Sequence, residues 1–343
     1  MLLPKGIEKH KNLSTSFTRF DHLLQDLAEN RFSGYIRLNF WGYEGVLVLD
    51  TGRMIEAYAA DKDMHLTSEQ AVLSIFSKSL QPDGSIEVYD LSSEVALALG
   101  YAMQSSRYKD DSSLGNYSLG QVFDLLERES VTGYVDIQFT EQKGIGTVYY
   151  LEGISVEAVI KSSSGKVASG EQVFAKFLEL GEIIQPYVVV HRATNPQTIV
   201  EDRVFVIPWQ HEKYLKFWNE LLQYLRNITI DQFRKDRFYS NFQQIGLELI
   251  DHYPFLDPKN DIVELTETEF KVKRLIYHPA FLQGMTIVLN KMLRQVPVRR
   301  LRKLDMKKVA ADVRAFAKKN EVAPSQLDTD QLVRQIFRGF TEI

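Results

Sequence analysis

The 343-residue chain contains no cysteine. Disulfide scaffolds, thiolate nucleophiles, zinc ribbons and cysteine-held clusters are excluded together. Long apolar runs are missing too: no segment approaches the ~20 apolar residues of a membrane-spanning helix, and Met1-Leu2-Leu3-Pro4-Lys5 opens without the apolar stretch of a signal peptide. These absences predict a soluble, cytoplasmic protein. The seven histidines are scattered, with no i, i+4 pair and no H-E-x-x-H, so neither a metal nor a cofactor is expected. The P-loop frame is absent, because Ser164-Gly165-Lys166 lacks its earlier glycine. Gly144-Ile145-Gly146 lacks the third glycine of a dinucleotide fingerprint, and no G-x-S-x-G elbow frames a serine. No catalytic residue is assigned, and the chain reads as a non-enzyme.

The net charge of −4 hides an asymmetry. Residues 271–319 hold fourteen Lys or Arg against only Asp305 and Asp312, so this segment is +12 and the remainder −16. A split of that size suits an anionic partner, or binds one part of the protein to another.

What is present is a repeat. Phe32-Ser33-Gly34-Tyr35-Ile36-Arg37-Leu38-Asn39-Phe40 lies over Val131-Thr132-Gly133-Tyr134-Val135-Asp136-Ile137-Gln138-Phe139, 99 positions on. Gly45 to Gly52 lies over Gly146 to Gly153, Glu56-Ala57 over Glu157-Ala158, and Ser68 to Val72 over Gly170 to Phe174, with a drift of only three residues. Each copy opens on an amphipathic stripe (Phe20, Leu23, Leu24, Leu27; Leu119, Val122, Phe123, Leu126). A glycine turn, an alternating strand, a hairpin with glycine near its tip, a second helix and a closing strand follow. The expected class is α+β: two tandem α-β-β-β-α-β modules with small antiparallel sheets at 13–105 and 117–205. Between them Gln104 to Asn116, polar and Ser-rich, reads as an exposed linker. A mostly helical C-terminal domain spans 209–343, with helices at Trp209–Arg226, Asp231–His252, 278–296, 305–320 and 328–340 and a short hairpin within Ile262–Lys273.

The opening helix, the Phe-Ser-Gly-Tyr-Ile-Arg-Leu block, the hairpin Leu49-Asp50-Thr51-Gly52-Arg53-Met54-Ile55-Glu56-Ala57 and the Glu-Gln-Ala helix resemble the PatA-type N-terminal (PATAN) domain and a related bacterial family of unknown function. The second copy repeats the pattern through Thr132-Gly133 and Leu151-Glu152-Gly153-Ile154-Ser155-Val156-Glu157-Ala158. The resemblance spans roughly 13–205 and rests on structural glycines and apolar positions. It implies a non-enzymatic bacterial signalling or scaffold module, of the kind linked to type IV pili, motility or cell polarity, working through protein partners. The chain lacks the receiver domain that accompanies that arrangement.

Four sets of residues are candidates for chemistry or contact. Glu56 and Glu157 occupy equivalent places; they are either paired carboxylates facing a pseudo-symmetric groove or, as favoured here, solvent-side strand residues beside inward Ala57 and Ala158. Asp110-Asp111-Ser112-Ser113-Leu114-Gly115 fits half of the cyclic-di-GMP signature of PilZ domains, without its R-x-x-x-R partner, and short matches of this kind arise by chance. Arg299, Arg300, Arg302 and Lys303 with Lys307 and Lys308 form a basic patch. Such a patch lies on a solvated face that pairs internally, the favoured reading, or meets an acidic partner protein, or grips the phosphates of a cyclic dinucleotide, nucleic acid or anionic lipid. Tyr35 and Tyr134, and Trp41 and Tyr43 in a loop of the first copy alone, are candidate protein-contact aromatics, although core packing is the favoured role for the Tyr pair.

Overall fold

A computed structural model describes residues 1–62, 64–114, 117–139, 144–193, 205–208, 211–229, 237–301 and 304–340. The chain divides into two compact units, Met1–Glu201 and Asp202–Ile343.

The first unit holds both copies. The first comprises β1 (Ile7–Ser14), α1 (Phe20–Glu29), β2 (Gly34–Phe40), β3 (Tyr43–Asp50), β4 (Arg53–Ala60), β5 (His65–Thr67), α2 (Ser68–Ser79) and β6 (Ser85–Asp90). After α3 (Ser93–Met103), the second comprises β7 (Ser105–Asp110), the single turn α4 (Asp111–Leu114), α5 (Leu119–Arg128), β8 (Gly133–Phe139), β9 (Gly144–Leu151), β10 (Ile154–Lys161), β11 (Val167–Ser169), α6 (Glu171–Ile183) and β12 (Tyr187–Ala193). The strand orders are the same, β1-β6-β2-β3-β4-β5 and β7-β12-β8-β9-β10-β11, antiparallel throughout.

The α+β class with small antiparallel sheets is therefore present, and each sheet is larger than expected. An outer strand (β1 or β7) and a short edge strand (β5 or β11) flank the anticipated four. The segment expected to be an exposed linker is partly β7, paired with β12 from Ser105↔Ala193 to Asp110↔Val189. Its serines and charges suit an edge strand with one wet face, which a polarity count cannot tell from a loop.

The same backbone devices recur at matching positions. The β3–β4 and β9–β10 turns place Thr51-Gly52 and Glu152-Gly153 in the left-handed region (φ 48°, 82°, 49° and 87°), as two-residue hairpins require. The glycine N–H groups then donate back to Phe32 O (2.7 Å) and Val131 O (2.9 Å). In each copy one extra residue, Ile55 or Val156, bulges from the ladder, because Val48 faces Glu56 while Leu49 faces Met54, and Tyr150 faces Ser155 while Tyr149 faces Glu157.

α3 explains why β3 reads as a continuous apolar run. It packs on both sheets, touching β2, β3 and β4 on one side and β8, β9, β10 and β12 on the other. Val46 and Val48 face it from the first sheet and Tyr149 and Val159 from the second. Val148 and Tyr150 belong instead to the core under α5 and α6. Strands buried on both faces lose their alternation. α3 itself is rich in small residues, with Ala96, Ala98, Gly100 and Ala102 buried, which lets two sheets approach one helix. A Cβ on Gly100 would lie 3.1 Å from Ile55 Cδ1.

The second unit comprises β13 (Phe205–Val206), α7 (Glu212–Thr229), α8 (Phe238–Leu247), β14 (Val263–Leu265), β15 (Phe270–Val272), β16 (Ile276–Tyr277), α9 (His278–Arg294), α10 (Val298–Leu301), α11 (Met306–Lys319) and α12 (Thr329–Ile336). Its core gathers on Trp218, which meets Phe281 edge-on with ring centres 5.2 Å apart. The Asn219 side chain takes the place of a strand partner for Phe270, accepting from its N–H (2.7 Å) and donating to its carbonyl (2.9 Å). Among the described residues no helix is long and apolar enough to cross a membrane.

Candidate functional site

Antiparallel pairing collects four connections of the first copy at one end of its sheet. Ser14 pairs with Ser85, Asn39 with Ser85, Phe40 with Tyr43 and Ala60 with His65. The segments 15–19, 41–42 and 80–84, with residues 61, 62 and 64, therefore share a pole. Phe40 and Tyr43 are tucked beneath it, with Lys78 Nζ over both rings (5.7 and 5.4 Å). A Cβ on Gly84 would lie only 2.3 Å from the Phe40 ring. Above this packed floor Trp41 is 99% exposed, Phe17 93% and Leu80 73%, with Met64 also exposed. Exposed apolar side chains are ordinary singly; four of this size on one pole are not.

Of the four candidate aromatics, only Trp41 stands free. Tyr43 is buried, its hydroxyl 3.1 Å from Ser74 Oγ. Tyr35 is buried between the sheets, stacked on Tyr89 and donating to Pro4 O (2.8 Å). Tyr134 is half-buried and stacks on His191 with ring centres 4.3 Å apart. The two tyrosines hold the same place in the two copies, and in both the ring faces the layer of α3. Alternation had put them on one face of a strand without saying that this face was covered. Leu2 to Pro4 complete that layer, since Tyr149 also donates to Leu2 O, and Leu2 N–H donates to Thr147 Oγ1 (2.9 Å).

The paired glutamates are not solvent-side. Glu56 is fully buried and Glu157 half-buried. Each accepts from the next residue's N–H, Ala57 or Ala158, at 2.8 Å. Each then reaches the start of the following helix: Glu56 accepts from Ser68 Oγ (3.1 Å), Glu157 from Gly170 N–H (2.8 Å). Glu56 also accepts from Gln104, just beyond α3. Burial pushes the Glu56 carboxyl above its ordinary value, and these donors pull the other way. The bulge turns each carboxylate to this bracing position, so the two are fasteners of their own copies.

Arg299 is exposed and Arg300 half-buried on α10, and Lys307 and Lys308 are exposed on the first turn of α11. Asp305 Oδ1 accepts from both lysines' backbone N–H groups (3.0 and 3.3 Å). Among the described residues no carboxylate pairs with these four side chains. Elsewhere in the basic segment ion pairs are made inside the unit: Lys273 with Asp261 (2.8 Å), Lys291 with Glu248 (3.0 Å), Arg314 with Asp330 (3.4 Å) and Lys319 with Glu220 (2.7 Å). Arg302 and Lys303 lie outside the described residues, as does Gly115 of the Asp110–Gly115 match.

Residues 1–101 match the model of a family described as an uncharacterized protein conserved in archaea (DUF2226). No curated protein and no solved structure matches the chain. The resemblance to PATAN domains is corrected accordingly: the family that the first copy is similar to is the archaeal one, and the bacterial setting goes with the PATAN reading. Glycine turns and apolar strand positions serve any sheet of this build, which is why they pointed to the wrong family. The matched segment runs from the start of the chain through β1 and into α3, so it takes in the first copy together with the helix that packs between the sheets.

Proposed function

We propose that the chain is a non-enzymatic scaffold that docks a protein partner on the Trp41 pole of its first sheet. The observation that carries this reading is the exposure of Trp41, Phe17, Leu80 and Met64 on one end of a sheet whose Tyr35 and Tyr43 are buried. Tryptophan at the centre of a contact that excludes water is the commonest kind of interface anchor, and truncating one costs about 2 kcal/mol or more of binding. The reading includes a cytoplasmic location.

Retention of a stoichiometric partner from host extract by the immobilised chain tests it. Trp41→Ser combined with Phe17→Ser and Leu80→Ser changes only exposed side chains, so the far-ultraviolet spectrum and Tm should hold while retention is lost. Retention undiminished by the triple variant overturns the reading. A second reading, an anionic ligand on the α10–α11 patch, is favoured by four cations that have no carboxylate partner among the described residues. Under it, Arg299→Glu with Arg300→Glu abolishes binding to immobilised polyanion.

A further inference from the structure

The unit Asp202–Ile343 holds 24 Lys or Arg against 18 Asp or Glu, a net +6, whereas Met1–Glu201 holds 17 against 27, a net −10. Much of the excess is laid out along α11. One side of this helix is dry: Val309, Val313 and Ala317 are buried, and Phe316 is half-buried with its ring edge-on to Tyr224 at 5.5 Å. The other side is wet and has three rows. Ala311 and Ala315 lie along its middle, Lys307, Arg314 and Lys318 on one flank, and Lys308 and Lys319 on the other, all of them exposed. The only acid of α11, Asp312, is half-buried at the border and accepts from Tyr224 OH (3.1 Å). No carboxylate of the helix itself therefore stands among the cations.

Lys307, Lys308 and Lys318 have no carboxylate partner among the described residues. Arg314 meets Asp330 at 3.4 Å and Lys319 meets Glu220 at 2.7 Å, with the cation more than half exposed in both pairs. Pairs this wet contribute little and are readily exchanged for another anion. Geometry and side-chain size select which anion. Lys307 and Lys318 are separated by about 16 Å along the helix axis. Reaching from the two ends, they bracket the major groove of B-form DNA, about 12 Å wide, and meet phosphates of both bordering strands. The alanines leave the middle of this side shallow, so the helix can enter. A lipid surface asks for large apolar side chains beside the cations, and α11 has turned its own inward. Single strands are held by stacking on aromatic rings, and the wet side carries none. The major groove of an RNA duplex is too narrow for a helix.

We infer that the exposed side of α11 binds double-stranded DNA, lying in the major groove with its lysines on the flanking phosphates. The inference rests on the second reading above, whose anionic ligand it names. It is independent of the Trp41 pole. The wet side presents no Asn or Gln to base edges, so the contacts hold the backbone and do not select a sequence.

Fluorescence anisotropy of a short labelled DNA duplex of mixed sequence, titrated with the full chain, tests this. Binding should weaken as salt rises, with a slope of log K against log salt of about −4, as five phosphate contacts imply. Lys307→Gln with Lys318→Gln changes only exposed side chains, so Tm should hold while affinity falls about tenfold and the slope becomes shallower by about 2. Ala311→Glu, in the middle row, should weaken binding more than Gln172→Glu, which adds the same charge on α6. Trp41→Ser should bind as the wild type does, and an RNA duplex of the same sequence should bind more weakly. DNA binding that is unchanged in the double Gln variant overturns the inference, as does RNA binding of equal strength. Binding to phosphatidylserine vesicles in place of DNA overturns it too. If immobilised heparin retains the chain, Arg299→Glu with Arg300→Glu releases it and DNA is not bound, this inference falls while the second reading stands. If neither heparin nor DNA is bound, both fall.

Discussion

The two copies in the first unit share a strand order, a bulge, paired left-handed turns and a bracing glutamate, and differ almost wherever a side chain meets water. The first exposes Trp41, Phe17 and Leu80 at its pole and sets acids on its outer strands. The second sets arginines, Arg107 and Arg192, at the places of the acids Glu8 and Asp90. What is kept is what the backbone needs: glycines where φ is positive, and a carboxylate where a bulge must be tied to a helix. What has changed lies on surface that the fold does not use, and that is where a duplicated module is free to acquire separate partners.

The comparison can be broken most sharply at the glycines beneath the second helices. A Cβ on Gly146 would lie 2.2 Å from Phe177 Cζ, in a fully buried ring, whereas one on Gly45 would meet Ile75 Cγ1 at 2.7 Å. Overpacking of this kind costs about 1–3 kcal/mol. Gly146→Ala is expected near the upper figure and Gly45→Ala near the lower, by urea denaturation. Equal losses would mean that the two helices yield alike.

The bracing glutamates should differ next. Glu56→Ala removes the acceptor of the buried Ala57 N–H and of the half-buried Ser68 and Gln104 side chains, at about 2–3 kcal/mol. Glu157→Ala affects two backbone N–H groups in a wetter place and should cost about 1 kcal/mol.

The smallest effect is in pH. The folded chain raises the Glu56 carboxyl above its unfolded value, so the fold holds that proton more tightly. The group's contribution is then most favourable below the ordinary carboxylate pKa, and declines as the pH climbs through the raised value. Stability of the wild type relative to Glu56→Gln should fall as pH rises from about 4 to 7. A rising or flat difference would place the carboxyl in a wetter setting than its burial implies.

Much of this fold was legible in advance, and unevenly so. The hairpin at Thr51-Gly52, the glycine before each second strand and the closing strands are local, each set by one or two residues and their φ. α3 was not read at all. Its Ser93–Met103 run has no polar stripe, because it is covered on both sides, and so it lacks the periodicity by which surface helices are found. β7 was missed for the opposite reason, being polar enough to pass for a loop. In the second unit, α7 runs from Glu212 to Thr229 and the short β14–β15 hairpin forms as the sequence implied, since a long apolar stripe and a strand-turn-strand pattern are both short-range signals. Within the candidate surfaces, Trp41 could be picked from its loop. Phe17, Leu80 and Met64 could not, since nothing in their own neighbourhoods says that four connections end at one pole.

Left to itself, the amino-acid order settled the duplication, the turns and the class of the fold, because each depends on neighbours a few residues apart and on glycine's tolerance of positive φ. Which faces are dry was decided only by the tertiary structure. Tyr35 and Glu56 became interior groups because a helix from beyond the repeat packed on their side of the sheet. Arg192 came to lie over the Tyr108 ring because two strands far apart in the chain became neighbours in the sheet. Burial and juxtaposition of that kind are set by long-range packing, and no local pattern encodes them.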